Sequence, residues 1–235
     1  MIDRDSRSAD RDEWPESVVS TRPYPRIVAS NRSRGIVVGV AVALTAVLLV
    51  SGCGEDAPYV PAGIVRTPAP DVSSVNLPEA SAGGAPFTFR AEPGKLFILY
   101  FGYTACPDIC PTTMADLRTA LRQIGDSADR VDVGMVTIDP LRDTDELITA
   151  YVQAFFPAGH AFRTDDPEAL RAAADAFGAG YEVTFDDQGV EEVIHTAFLY
   201  AIDDSGHLRL MWPFGIESED IARDLNALLE EQTNA

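Results

Sequence analysis

Two stretches of the chain are almost entirely apolar over the length of a β-strand. They are KLFILYFGY at 95–103 and RVDVGMVTID at 130–139. A strand that is covered on both faces has a continuous apolar run instead of an alternating one, so each stretch predicts a buried central strand. Shorter apolar runs predict further strands at 86–91, 181–187, 193–203 and 207–214. The DDSG turn at 203–206 should join the last two as a hairpin.

The segments between these strands carry apolar residues at helical spacing. Leu117, Leu121 and Ile124 lie at i, i+4 and i+7 and predict a helix over 111–124, which Gly125 ends. The same pattern predicts helices at 143–156, 166–178 and 218–232. Strands that alternate with helices and end in a hairpin are typical of an α/β fold, with a mixed central sheet flanked by helices.

The N-terminal third of the chain does not follow this alternation. Residues 1–34 are polar and rich in arginine, which predicts a disordered extension. Residues 35–52 carry no charge and follow two arginines, as in a signal peptide or a membrane anchor. Residues 54–85 are rich in Pro, Ala, Gly and Ser, which predicts a tether whose last part can fold against the domain. The domain itself is expected over 86–235.

The apolar run ends in Val50-Ser51-Gly52-Cys53, which resembles a bacterial lipobox. Small residues let the backbone enter a peptidase site, after which Cys53 becomes the lipidated N-terminus. The run is short for crossing a bilayer, which favours a signal peptide over 35–53; an uncleaved anchor is the alternative. Either one tethers the following domain to the extracytoplasmic side of the cell membrane. The polar leader is long for a signal peptide, which suggests a start downstream, at Val28 through a non-AUG codon.

The chain is strongly acidic. It has 37 Asp and Glu residues against 18 Lys and Arg residues, and its formal net charge is −19 at pH 7. Nucleic-acid binding needs clustered cations, so this class of function is excluded. The acidic surface favours a basic partner, or it serves only to keep the protein soluble.

Two of the three cysteines lie in FGYTACPDICPTTM at 101–114. Cys106 and Cys110 follow a central strand and precede a helix, where the positive end of the helix dipole favours thiolate. Their i, i+4 spacing allows either a disulfide or a shared metal ion. A disulfide that closes so short a loop removes little chain entropy, so we expect a functional pair. Cys106 should be the more reactive thiol, and Cys110 should be shielded by the helix.

Two thiolates select Cu(I), or zinc, over hard metal ions. Three histidines are available as further ligands. His160 and His207 lie in or after turn-forming segments and are expected at the surface. His195 lies among apolar residues, where it is either a satisfied core residue or a ligand. Met114 is a soft ligand by chemistry, but a helical methionine is more often part of the core.

Three motifs together resemble the Sco/SenC family, the copper-binding proteins of cytochrome oxidase assembly. They are FGYTACPDICPTTM at 101–114, TIDPLRDT at 137–144 and HTAFLYAID at 195–203. The resemblance spans about residues 85–232. It implies a thioredoxin-like fold and copper binding by Cys106, Cys110 and His195.

The chain departs from the family pattern at two places. Many members have an acidic residue before the histidine, where this chain has Ile194. Many also have a Gly-rich segment where this chain reads FPAGHAFRT, at 156–164. Neither departure removes a ligand, but the first affects how His195 is oriented. Asp139, in TIDPLRDT, is expected to cap the helix that follows it.

The resemblance implies a membrane-tethered copper metallochaperone. Its partner would be the copper-containing subunit of a cytochrome c oxidase, whose dinuclear centre would receive copper or reducing equivalents. The main alternative is a thiol–disulfide oxidoreductase, which needs Cys106 and Cys110 but not His195. A redox-controlled copper sensor would keep the same ligands. A peroxiredoxin-like peroxidase is disfavoured, because its Pro-x-x-x-Thr-x-x-Cys signature is absent before Cys106.

Overall fold

The computed structural model describes residues 59–185 and 191–234. The extension at 1–34, the apolar run at 35–53 and the lipidation site at Cys53 lie outside these residues. Within the described ranges, no helix is both long enough and apolar enough to cross a membrane.

Strands and helices alternate along most of the described chain, as the apolar pattern predicts. The strands are β1 (Asn76–Glu79), β2 (Ala85–Thr88), β3 (Leu96–Gly102), β4 (Val131–Thr137), β5 (His160–Phe162), β6 (Tyr181–Phe185), β7 (Glu191–His195), β8 (Phe198–Ile202) and β9 (Leu208–Pro213). The α-helices are α1 (Ile109–Gln123), α2 (Asp145–Phe155), α3 (Pro167–Phe177) and α4 (Ser218–Asn234).

The main sheet has seven strands in the order β2-β1-β5-β4-β3-β8-β9. Strands β3, β4 and β5 run parallel, and the other neighbours are antiparallel. The predicted hairpin is formed by β8 and β9. Strands β6 and β7 form a separate antiparallel hairpin. The predicted mixed sheet flanked by helices is therefore confirmed.

Strand β3 is buried on both faces, as its unbroken apolar run predicts. Alternate residues, such as Ile98, belong to a core cluster that includes apolar side chains of α1, α2 and α4. The residues between them, such as Leu99, belong to a second cluster that includes α3. The two clusters lie on opposite faces of the sheet, because successive strand residues point to opposite sides.

Local signals set the ends of α3. The Asp166 side chain accepts hydrogen bonds from the backbone N–H groups of Glu168 and Ala169, and Pro167 occupies the first turn. Gly178 ends the helix with a φ of 71°, a conformation that favours glycine. These ends agree with the predicted helix at 166–178.

The folded domain begins earlier than the composition indicates. Ile64 pairs with Met211 of β9 through backbone hydrogen bonds of 2.8 and 3.1 Å. The carboxylate of Asp224, in α4, accepts from the backbone N–H groups of Ala62 and Gly63 at 3.0 and 2.8 Å. The segment before Pro86 therefore lies on the domain from the first described residue onward, and it covers the outer edge of β9.

The strand pattern differs from the prediction at two further places, of which the second, 156–164, was predicted to hold no strand. The stretch 193–203 forms two strands instead of one, because the chain leaves the β6–β7 hairpin at Thr196 and enters the main sheet at Phe198. The stretch 156–164 contains β5, which pairs in parallel with β4. The first difference determines the position of His195, at the end of β7.

Candidate metal centre

The two cysteines lie where the sequence predicts, between the end of β3 and the first turn of α1. Cys106 is in the connecting loop, and Cys110 is the second residue of the helix. Gly102, the last residue of β3, makes room for the helix. A Cβ atom there would lie 3.1 Å from Cys110 Sγ and 2.6 Å from the Tyr100 ring. The glycine is thus a requirement of close packing at this site.

Cys106 and Cys110 are free thiols with different environments. Cys106 is 9% exposed, whereas Cys110 is fully buried. The backbone N–H of Cys110 donates to Cys106 Sγ at 3.3 Å. Partial burial of Cys106 raises the pKa of its thiol, but hydrogen bonds from the backbone of Cys110 and Asp108 outweigh this effect and the net pKa is lowered. Burial raises the pKa of Cys110 to about 12.

His195 is brought to the cysteines from a distant part of the sequence. Its Nε2 lies 3.7 Å from Cys110 Sγ. Its Nδ1 lies 3.3 Å from the carbonyl oxygen of Thr196, so a proton on Nδ1 can be donated there. Burial lowers the pKa of His195. The lowered pKa favours the neutral imidazole. With the proton on Nδ1, the Nε2 lone pair faces Cys110 Sγ, and this is the tautomer that binds a metal ion through Nε2.

Two tyrosines surround these three residues. The Tyr100 hydroxyl donates to Cys110 Sγ at 3.5 Å. The rings of Tyr100 and Tyr103 lie edge-on to His195, with ring centroids 6.0 and 5.9 Å away. Burial raises the pKa of Tyr100, and it raises the pKa of Tyr103 to about 12, so both remain neutral phenols. The two cysteines and Tyr100 are buried, and Tyr103 and His195 are partly exposed, so the three candidate ligands lie against aromatic rings near the surface.

The Cys110–His195 pair has the spacing of two ligands of one ion. With metal–sulfur and metal–nitrogen bonds of about 2.3 and 2.0 Å, as at zinc sites, a tetrahedral to trigonal angle puts the ligand atoms about 3.5–3.7 Å apart. The observed 3.7 Å falls in this range. In the part of the chain that the structure describes, no three His, Cys, Asp or Glu side chains stand as a complete metal-binding group. For an ion to be held by three residues, a third ligand such as Cys106 would have to turn its sulfur toward the pair.

Asp139 does not cap the following helix, so this prediction is wrong. The cap of α2 is Thr144, whose side chain accepts from the backbone N–H of Leu147. Asp139 instead accepts a hydrogen bond from Arg142 Nε. The Arg142 guanidinium lies over the Tyr103 ring at 5.7 Å. Asp139 thus acts on the wall of the site through Arg142.

Asp143 is a residue of the site that sequence reasoning missed. It is fully buried. Its carboxylate accepts from the backbone N–H of Thr104 at 3.1 Å, from the Thr104 hydroxyl, and from the Thr137 hydroxyl at 2.6 Å. It thereby joins the loop before Cys106 to the end of β4. The only signal for it in the sequence is its place within TIDPLRDT, at 137–144.

The remaining candidate ligands have other roles. Met114 is fully buried in the core. His207 is 44% exposed, as predicted. His160 is partly buried, contrary to the predicted surface position: its Nδ1 lies 2.8 Å from a carboxylate oxygen of Glu79, and its ring packs against Phe87.

The family model described as SCO1/SenC matches residues 80–230 of the chain. Among curated proteins, the chain is 29% identical over 148 residues to a "putative copper-binding protein" of Stutzerimonas stutzeri, covering 63% of this chain and 72% of that protein.

Two solved structures have a fold similar to that of this chain. The apo Sco1 protein from Thermus thermophilus is 31% identical, with a TM-score of 0.62, over 74% of this chain and 99% of that one. Bradyrhizobium japonicum ScoI with copper bound is 27% identical, with a TM-score of 0.55, over 65% of this chain and 96% of that one. This likeness confirms the predicted thioredoxin-like fold.

Proposed function

Because the chain belongs to the SCO1/SenC family, we propose that it is a membrane-tethered, extracytoplasmic copper metallochaperone. It serves the assembly of the dinuclear copper centre of cytochrome c oxidase. Two relatives support copper as the metal: one is described as copper-binding, and the structure of the other holds copper. Copper is the cargo of this protein, so the site must both hold it and release it.

The observation that carries the proposal is the convergence of His195 on Cys110. A dithiol oxidoreductase needs no imidazole at this place, whereas a copper carrier uses one as its third ligand. The two thiolates suit Cu(I), and the added nitrogen suits Cu(II). Cys110 must lose its proton when copper binds, because the thiolate is the ligand form of cysteine.

Transfer to a client protein begins at the exposed side of the site. Both cysteines are buried, but Cys106 keeps 9% of its surface accessible and Cys110 keeps none. A ligand of the client therefore reaches copper next to Cys106 first, while Cys110 and His195 still hold the ion. Transfer by ligand exchange needs such a sequence, because the ion is never free in solution.

The asymmetry of the two thiols also supports a second function, thiol–disulfide exchange. Cys106, with its lowered pKa, suits the attacking thiolate. Cys110 lies beside it and suits the thiol that resolves a mixed disulfide. In such a reaction the client disulfide is reduced to two thiols, and Cys106 and Cys110 are oxidised to a disulfide.

Copper titration of the reduced protein tests the proposal. We expect His195→Ala to abolish Cu(II) binding and its thiolate-to-copper charge-transfer absorption, and to retain part of the Cu(I) binding. His207→Ala, which removes an exposed histidine of the β8–β9 turn, is the matched control and should titrate like the wild type. Equal Cu(II) binding by the wild type and His195→Ala would show that the histidine is not a copper ligand. The thiol–disulfide function would then be the better explanation of the site.

A further inference from the structure

The first described residues expose an unusual amount of apolar surface. Nine large apolar side chains are exposed within the described ranges, and four of them fall between positions 59 and 65. These are Tyr59, Val60, Ile64 and Val65, here called the strap patch. Tyr59 and Val65 line the same cleft of about 370 Å³ beside α4. The strap patch therefore concentrates exposed apolar side chains in one short segment, two of which border the same cleft.

The strap patch is fixed to the domain. Asp224 accepts hydrogen bonds from the Tyr59 hydroxyl and from two backbone N–H groups of the same segment. It also accepts from the Trp212 indole N–H at 2.7 Å, which holds the carboxylate in place. Ile64 is bound to β9 through its backbone, and its side chain is exposed. The patch consequently keeps its direction relative to the rest of the domain.

The number of residues between the proposed membrane tether and the strap patch limits the distance of the patch from the membrane. Only six residues, 53–58, separate it from the uncharged run at 35–52. Seven extended residue steps span about 25 Å at most. With that run or a lipid on Cys53 in the bilayer, as the proposed function requires, Tyr59 lies within this distance of the membrane surface.

We propose that the strap patch lies on the lipid bilayer and orients the domain there. The inference rests on the membrane tether of the proposed function. Tyrosine suits the interface, because its ring is apolar and its hydroxyl is polar. Tethering supplies a high effective concentration, so a small apolar contact is sufficient. With a net charge of −19, the chain is repelled by anionic lipid, and apolar contact drives the docking.

Tryptophan quenching by brominated phosphatidylcholine tests this docking on the full chain in vesicles. Trp14→Phe removes one of the two native tryptophans and leaves the buried Trp212 as a background that both reporter variants share. Val60→Trp then places a reporter in the strap patch, and Leu141→Trp is the control. Val60 and Leu141 are 82% and 86% exposed. We expect quenching at position 60 and none at position 141.

A second pair of substitutions separates docking from mere closeness to the tether. Ile64→Asp combined with Val65→Asp should abolish the quenching at position 60, while the chain still floats with the vesicles. Quenching at position 60 that survives these two substitutions overturns the inference. So does the absence of quenching in a floating Val60→Trp chain that does not carry them. A chain that does not float overturns the tether of the proposed function together with the docking.

Discussion

His195 Nε2 lies 3.7 Å from Cys110 Sγ, although the two residues are 85 positions apart in the chain. The β6–β7 hairpin brings them together, because it carries the histidine at its end while the main sheet carries the cysteine loop. The two proposed functions, copper delivery and thiol–disulfide exchange, would both use the cysteines. The histidine is therefore the residue that distinguishes them.

In cells, His195→Ala should lower cytochrome oxidase activity in copper-poor medium, and added copper should restore it at least partly. The two thiolates still bind some Cu(I), so the variant is a weaker carrier and not an inert one. Oxidase activity and the copper content of the oxidase measure the effect. His207→Ala should behave as the wild type.

The same variant should keep its dithiol chemistry. Cys106 and Cys110 should still form and reduce a disulfide in His195→Ala, whereas Cys106→Ala and Cys110→Ala should each lose both disulfide formation and Cu(II) binding. Thiol titration before and after oxidation measures this. His195→Ala could instead support normal oxidase assembly in copper-poor medium while both cysteine variants fail to support it. That result would contradict metal delivery and favour the thiol–disulfide function.

Alkylation of the reduced, metal-free protein should proceed first at Cys106. An ordinary thiol has a pKa of about 8.5. Hydrogen bonds lower the pKa of Cys106, so its thiolate and its reaction rate should already rise below that pH. Burial raises the pKa of Cys110 to about 12, so this residue should stay protonated and slow throughout the neutral range. Tandem mass spectrometry after iodoacetamide at several pH values distinguishes the two; faster labelling of Cys110 would contradict the assignment.

The proposed lipidation of Cys53 can be tested by substitution. If Cys53 is lipidated, Cys53→Ser should leave an unprocessed precursor that carries no acyl label. Metabolic labelling with a fatty acid, followed by mass spectrometry of the membrane fraction, measures both properties. Equal acyl labelling of the variant and the wild type would exclude lipidation at this residue.

Local features were predictable from the sequence. The strand end and helix start that hold Cys106 and Cys110 depend on apolar runs and on glycine and proline signals, which act over a few residues. The place of His195 at the end of β7 was not predictable, because no turn-forming residue separates β7 from β8 at Thr196 and Ala197. The packing of the predicted tether against the domain was not predictable either, because a Pro- and Gly-rich segment has the same composition whether it is free or bound. Its contact with Asp224 joins residues more than 160 positions apart.

Asp143 should be far more important for stability than its neighbour Asp145. Asp143→Ala leaves the N–H and hydroxyl of Thr104 and the hydroxyl of Thr137 without their acceptor. The expected loss is about 1–3 kcal/mol in the free energy of unfolding. The Asp145 side chain is 51% exposed and faces Arg163 at 3.5 Å, so Asp145→Ala should cost less than about 1 kcal/mol. Urea denaturation compares the two variants, and equal losses would contradict the role assigned to Asp143.

Gly102→Ala should disturb the site without touching a ligand. The new Cβ would lie 2.6 Å from the Tyr100 ring and 3.1 Å from Cys110 Sγ, so either the helix or the ring must move. Overpacking of this kind costs about 1–3 kcal/mol. The displacement should also weaken the Cu(II) charge-transfer absorption, because Cys110 is pushed out of line with His195.

Gly180→Ala is the matched control, since the nearest atom to its new Cβ, in Thr196, is 3.8 Å away. It should leave both the stability and the absorption nearly unchanged. A Gly102→Ala protein with wild-type stability and wild-type absorption would show that the contact between β3 and α1 is loose enough to absorb a methyl group. The close approach of strand and helix would then not be what sets the Cys110–His195 distance.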